Sequence, residues 1–563
     1  MKRSFLLLVS LLSACAAANP APRGQAAASD PPPAAERLSG AFLTGRFAAQ
    51  EDDLSYASDA FLRALALDPS SRELHQQAFL TSLLAGRPEA ARLARGLTDN
   101  LSAQLYLVDA DALAGSWSSA EKRLAGVSRQ GLAQVLQPLL VAWVQFGGGR
   151  TDAAMATLKP FIDAPRYRFV YSLHGALIAD LAGRTGDAAR LYRQAQAEFG
   201  APTLELARMV ASWQARQGQL AEARRTLSAT IELNPEMGIA LPALSARPGE
   251  RLIRNATDGM AETYLMMAAA LRQQEANDLS AVLLQLALQL RPDFTPARLL
   301  GADILEGTRH AAAALTLLAP VPASDPLIAV VQLRRAELQQ QSGATEAALA
   351  TLDQATRDYP ARPEPWAMKG DLLRSGHRYG EAVTAYDEAI KRLDAPGRLS
   401  WVLFYDRGVA LERSKQWPRA EADFQKALEL APDQPYVLNY LGYSWTEQGR
   451  DLGAARAMIE RAVRQRPNDG AIVDSLGWVM LRQGDVPGAV QVLERAVELV
   501  PEDAAVNGHL GDAYWAAGRQ REALYQWRRA VTLNPEPEEA TRLKARLHEA
   551  EQALGITAAS AAP

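Results

Sequence analysis

The chain has 563 residues, with 60 Lys and Arg against 64 Asp and Glu, a formal net charge of -4 and one cysteine. That near balance argues against nucleic acid, whose phosphates demand a clustered basic surface, and a single cysteine excludes both an intramolecular disulfide framework and a multi-cysteine metal site. A hydrophobic content of 48% suffices for a large buried core and is too high for a disordered chain.

Met1-Lys2-Arg3 is a short basic start, and Phe5 to Leu12 is an apolar stretch too short to span a bilayer. Residues 1–14 therefore read as a secretory signal. Leu12-Ser13-Ala14-Cys15 resembles the lipobox of bacterial lipoproteins, which implies that the Cys15 thiol carries diacylglycerol after cleavage. Several long acyl chains, at about 0.8 kcal/mol per buried CH₂, would make a durable anchor. The absence of Asp at Ala16 and Ala17 implies, by the rule of that family, the outer rather than the inner membrane. Ala14-Cys15-Ala16 also fits ordinary signal cleavage, which would release a soluble periplasmic protein. Residues 15–37 are rich in Ala and Pro, including Pro31-Pro32-Pro33, and read as an extended tether. Beyond residue 15 no apolar run reaches the ~18 residues of a membrane-spanning helix.

From residue 38 the chain repeats. Gly45, Ala57, Phe61, Ala64 and Pro69 open a pattern that weakens over 72–200 and returns at 202–235. Residues 236–260 break it, with Pro242 and Pro248 inside, and read as an extended inter-repeat loop or a hinge between two lobes. Over 261–535 the punctuation is clear. Pro292, Pro326 and Pro360 are 34 apart, and Pro432, Pro467, Pro501 and Pro535 are separated by 35, 34 and 34 residues. With Leu441-Gly442 and Trp445, Leu510-Gly511 and Tyr514, Ala420 and Phe424, and Ala523 and Trp527, this is the tetratricopeptide pattern. It predicts an all-α fold of about fourteen helix-turn-helix units stacked as a superhelical solenoid, because one hairpin cannot bury its apolar face alone. Residues 536–563 supply a polar capping helix and a frayed tail.

No G-x-S-x-G, P-loop or H-E-x-x-H sequence occurs. His75, His174, His310, His377, His509 and His548 lack metal-ligand spacing and read as surface or inter-helix residues. Met260, Met266 and Met267 read as core fillers. A solenoid is expected to keep sequence-distant residues apart, so no catalytic residue, metal, cofactor or small-molecule substrate is assigned. What remains is a surface. The first-helix positions that line the concave face of tetratricopeptide proteins fall here on Tyr405, Glu412, Arg413, Tyr436, Asn439, Tyr443, Glu447, Asp474, Trp478, Arg482, Asp512 and Trp515. Trp, Tyr and Arg are the residues that dominate binding hot spots, and the Asn439 amide suits an extended peptide backbone.

The stretch from Asn439 to Glu536, together with the lipobox, resembles the large tetratricopeptide lipoproteins of Gram-negative bacteria, among them adaptors of the carboxyl-terminal processing protease. The resemblance implies a non-enzymatic adaptor at the outer membrane, facing the periplasm, that gathers a periplasmic serine protease and its peptidoglycan-hydrolase substrates. A scaffold for outer-membrane assembly or for polysaccharide or protein export is the alternative, and an enzyme with an unrecognised site is a more remote one.

Overall fold

The computed structural model describes residues 34–197, 203–233, 235–393 and 396–555. The segment read as a signal sequence, Cys15 and the part of the segment read as a tether up to residue 33 lie outside the described residues, as do the residues from 556 on. The described residues contain thirty α-helices and two short 3-10 segments. Twenty-eight of the helices form fourteen sequential pairs, from Ala34–Gln50 with Leu54–Leu67 to Ala504–Ala516 with Gln520–Thr532. The fold is an all-α tetratricopeptide-repeat solenoid. The chain divides into two compact units, one ending at Thr98 and one beginning at Asp99.

Local chemistry sets each pair. Acidic N-caps start many helices: the carboxylates of Asp451, Asp469, Asp485 and Asp503 each accept from a backbone N–H three residues on. Gly484, at φ 87°, lets the chain leave one helix and enter the next across three residues. The repeated small residues mark helix crossings. Ala420, Ala427, Ala489, Ala496, Ala523 and Ala530 are fully buried. A Cβ on Gly408 would lie 2.7 Å from the Phe424 ring, and one on Gly511 would lie 2.5 Å from Trp527. Each aromatic therefore fills the space that its partner glycine leaves.

Two boundaries differ from the sequence reading. The first helix starts at Ala34, inside the segment read as tether, and continues without interruption into the first repeat. The segment read as an irregular break over 236–260 is largely helical. Pro235–Ala240 forms a 3-10 turn, Leu241–Ala246 a short helix, and the Ala256–Arg272 helix begins on the Asn255 cap. Ile239, Ala240 and Leu244 are buried in the same core as Leu327 and Val330. Prolines disrupted the repeat spacing here without preventing burial, because Pro242 sits in a helix's first turn, where no N–H is needed.

The larger correction concerns sequence-distant contacts. The Ala256–Arg272 helix packs across the first helices of three earlier repeats, Leu101–Leu113, Ala133–Gly147 and Arg168–Leu181. Tyr264 Oη donates to Asp109 Oδ1 at 2.9 Å, 155 residues away, and Gln289 donates to the Tyr106 carbonyl at 3.3 Å. Gly259 lies so close to Trp143 that a Cβ would fall 2.3 Å from its ring. The indole of Trp143, fully buried, donates to His174 Nδ1 at 3.0 Å. Burial pulls the His174 pKa down to about 3, so the ring is neutral and can accept. Burial likewise pushes Asp109 well above the usual carboxylate range, opposed by the Tyr264 hydrogen bond. The inner face of these repeats is thus filled by the chain itself, and the expectation that repeats hold distant residues apart fails here.

Candidate protein-binding surface

In the C-terminal repeats the inner face is built by the first helices Trp401–Arg413, Pro435–Glu447, Gly470–Arg482 and Ala504–Ala516. The Pro537–Ala553 helix closes its end. Glu536, just before that helix, pairs with Arg413 at 3.1 Å, and a Cβ on Gly508 would meet Glu539 and Leu543.

The residues singled out in the sequence separate into two groups. Asp474, Asp512 and Trp515 are engaged inside the fold. Asp474 is 5% exposed and its two oxygens lie 2.9 and 3.0 Å from His509 Nδ1. Asp512 accepts from Trp527 Nε1 at 3.1 Å and from Arg542 Nη1 at 2.5 Å. Trp515 packs on the terminal core with its ring 5.6 Å from Trp527. Tyr405 is half-buried, edge-on to Tyr440 at 5.9 Å and 6.1 Å from Phe424. Asp474 and Tyr405 tie neighbouring repeats together, whereas Asp512 and Trp515 pack within the last repeat and Asp512 also holds the helix that follows.

The second group reaches solvent. Tyr436 is 42% exposed, with the Arg466 guanidinium 5.7 Å from its ring centre. Asn439 and Tyr443 are half-buried, and Asn439 Oδ1 is enclosed, with no hydrogen-bond partner among the described residues. Trp478 lays one face on the His509 ring, 4.2 Å away and 18° from parallel, and its indole donates to Glu447 at 2.6 Å. Arg482 stands over Trp478 at 5.7 Å and lies 3.7 Å from Glu447. Two neighbouring repeats, 435–447 and 470–482, carry this strip of aromatics, one amide and one guanidinium. Glu412 accepts from Tyr440 Oη at 3.1 Å, which places it at the strip's edge.

Electrostatics divide the same way. Burial works against a charged His509, yet the Asp474 carboxylate beside it holds its pKa above the ordinary histidine value. Asp406 is pushed up to about 7 by burial and by Asp371, against the pull of Arg374. Tyr440 and Tyr443 are raised by burial and by the carboxylates of Glu412 and Glu447 respectively, so both phenols remain neutral. The tyrosines of this face are therefore neutral donors, and the charged groups beside Trp478 are paired.

Sequence reasoning passed over Tyr440, His509, Arg542 and Glu539. Tyr440 falls between the positions usually counted as inner. His509 was grouped with the unremarkable histidines, and Arg542 and Glu539 sit on a helix that reads as a polar cap. Only packing shows that the cap turns this edge inward. Among the described residues, no group of three or more His, Cys, Asp or Glu could hold a metal ion, and no helix is long and apolar enough to cross a membrane.

Comparisons agree with this architecture. A tetratricopeptide repeat-like domain model matches residues 254–402. A tetratricopeptide repeat model matches 405–470, 448–504 and 475–536. The chain thus contains tetratricopeptide repeats, a class of protein-interaction scaffold, and neither matched model is that of an enzyme. The TPR repeat-containing protein PA4667 of Pseudomonas aeruginosa is 29% identical over 163 residues, which is 29% of this chain and 27% of that protein. Human tetratricopeptide repeat protein 13 is 30% identical over 132 residues, covering 23% of this chain and 15% of its own length. The matches thus span less than a third of either relative. Among solved structures, YrrB, a TPR protein with an unusual peptide-binding site, aligns at 20% identity and a TM-score of 0.27, covering 34% of this chain and 97% of YrrB. A chain of the APC/C Cut9–Hcn1 hetero-tetramer aligns at 16% identity and a TM-score of 0.38, covering 92% of this chain and 97% of that one.

Proposed function

We propose that this protein is a non-enzymatic scaffold that binds an extended segment of a partner protein along the strip from Tyr436 to Arg482. The observation that carries this reading is the strip itself. Tyr436, Asn439, Tyr443, Trp478 and Arg482 share one face of two adjacent repeats, and the Tyr436 ring is exposed there. Large, stiff aromatics contribute contact area at low entropy cost. The inner face over 101–181 is already filled by the 256–272 helix, which leaves this face for a partner.

We further propose that Cys15 carries the lipid that holds the scaffold at the outer membrane, facing the periplasm. Its partners are then a carboxyl-terminal processing protease and the peptidoglycan hydrolases it cleaves. Holding enzyme and substrate on one anchored chain raises their effective concentration without adding chemistry. The test is turnover of a purified hydrolase by such a protease, with and without the full chain. The chain alone should cleave nothing, and its addition should accelerate cleavage, less so with Tyr436→Ala. Neither binding nor acceleration would sink the adaptor reading. Cys15→Ser should move the protein from membranes to the soluble periplasmic fraction, and persistence in membranes would refute the anchor.

A further inference from the structure

The first helix, Ala34–Gln50, has a bare apolar stripe. Leu43 is 65% exposed, Phe47 66%, and Tyr56, at the start of the Leu54–Leu67 helix, 51%. The three border one groove together with Thr44 and Ala48. A terminal repeat ordinarily turns a polar face outward. Gly40, Leu43 and Phe47 are spaced by three and then four residues, so they lie on one line along the helix, the spacing of a helix-packing seam.

Two glycines in this helix behave oppositely. A Cβ on Gly45 would lie 3.0 Å from the Phe61 ring, so the space that Gly45 leaves is filled from within the repeat. Gly40 is exposed, and a Cβ there would meet nothing within 4 Å. A glycine inside a helix weakens it. Elsewhere in this chain such glycines make room for a ring: Tyr386 at Gly370, Phe424 at Gly408 and Trp527 at Gly511. Gly40 leaves the same kind of hole, and no ring among the described residues enters it. Phe47 carries a ring on the same stripe, two turns further on, and cannot reach Gly40 of its own helix.

A second copy of the chain satisfies both. When two such helices pack antiparallel about a two-fold axis level with Leu43 and Thr44, residue 40 of each lies opposite residue 47 of the other. Each Phe47 then enters the hole at the other copy's Gly40, and the two Leu43 side chains meet at the axis. On the flank, the exposed Arg37 of each copy comes level with the exposed Gln50 and Glu51 of the other, so opposite charges face each other twice. This reciprocity is what a two-fold interface requires. We propose that the Ala34–Gln50 helix is a self-association surface, through which two copies pair antiparallel by Gly40, Leu43 and Phe47. One helix pair is a small interface, so the dimer is weak and depends on concentration. The contact uses none of the residues of the aromatic strip.

Sedimentation equilibrium tests this on the purified full chain carrying Cys15→Ser, which removes the native thiol. Dimer should grow in between about 10 and 500 µM. With Thr44→Cys added, a short bismaleimide should join two copies. Phe47→Asp should weaken dimerisation at least about tenfold, and Gly40→Leu, which fills the hole, by a similar factor. Neither disturbs the packing within one copy, because Phe47 is exposed and the space at Gly40 is open; circular dichroism checks that both stay folded. Arg37→Glu and Glu51→Lys should each weaken the dimer about threefold. An equal mixture of those two variants should restore it, because only the mixed pair regains both opposite-charge contacts. A chain that stays monomeric and uncross-linked at about 500 µM overturns the proposal, whether the stripe is covered by residues before 34 or by another protein. A dimer indifferent to both Phe47→Asp and Gly40→Leu also overturns it, since that dimer forms through another surface.

Discussion

The contact between Gly259 and Trp143 makes the most direct test of the internal packing. In Gly259→Ala, the new Cβ would lie 2.3 to 2.4 Å from three atoms of the Trp143 indole, distances at which something must move. Trp143 is fully buried and its Nε1 is committed to His174 Nδ1 at 3.0 Å, so a shift of the ring breaks that hydrogen bond in a dry site. Overpacking of this kind costs about 1–3 kcal/mol. An indole N–H left unpaired adds about 1–3 kcal/mol, and the helix preference of Ala over Gly returns up to about 1 kcal/mol. The net expectation is a loss of roughly 1–6 kcal/mol. Repeat arrays need not unfold in one step, so the readout is amide hydrogen exchange over 133–147 and 256–272, where protection should fall together. Gly380→Ala is the internal contrast. A Cβ there meets nothing within 4 Å, so the same substitution should be neutral or stabilise by up to ~1 kcal/mol. Unchanged protection of both helices in Gly259→Ala would refute the reading that the 256–272 helix is locked onto the earlier repeats.

Other expectations are equally concrete. Glu262 has its pKa raised from 4.5 to about 8, so the folded chain keeps a proton that the unfolded chain releases. Stability should fall as pH rises across that window, by at most about 3–5 kcal/mol from this group, and Glu262→Gln should flatten the fall in urea midpoints. His509 is raised by Asp474 against burial, so its contribution is fully present below the ordinary histidine pKa and is lost as pH rises through the raised one. His509→Asn should remove that dependence from exchange rates over 470–516, and an unaltered profile would sink the assignment. Trp515→Ala should destabilise the terminal repeats by about 1–3 kcal/mol, because the ring packs on Trp527 and the core around it. Tyr436→Ala should change stability by less than about 0.5 kcal/mol yet weaken partner binding. A large stability loss at Tyr436 would show that this ring is packing rather than contact surface.

The architecture was written locally. Prolines spaced at 34 residues end helices, Gly408 and Gly511 make room for Phe424 and Trp527, and buried alanines allow close crossings. Each of these effects operates within one repeat, so a linear reading finds it. The spans where reading failed are those where the partner is far away. Nothing near Gly259 announces Trp143, 116 positions earlier, and nothing near Tyr264 announces Asp109. The prolines at 242 and 248 look like punctuation until Ile239 and Leu244 are seen buried against Leu327 and Val330.

The surface followed the same division. Periodicity placed Tyr436, Asn439, Trp478 and Asp512 on first-helix positions, because side-chain direction along a helix follows from residue spacing alone. Whether such a position faces solvent or a neighbour depends on what packs over it. Asp512 is covered because Arg542 and Trp527 reach it from the next two helices, and Asp474 is covered because His509 arrives from the following repeat. The sequence by itself determined the repeat, its period and the residues that close each hairpin, since those are short-range constraints. Only the tertiary structure decided which inner face is filled, which candidate residues remain in contact with water and which buried groups lack partners, because burial is set by the whole neighbourhood of a side chain and not by its place in the repeat.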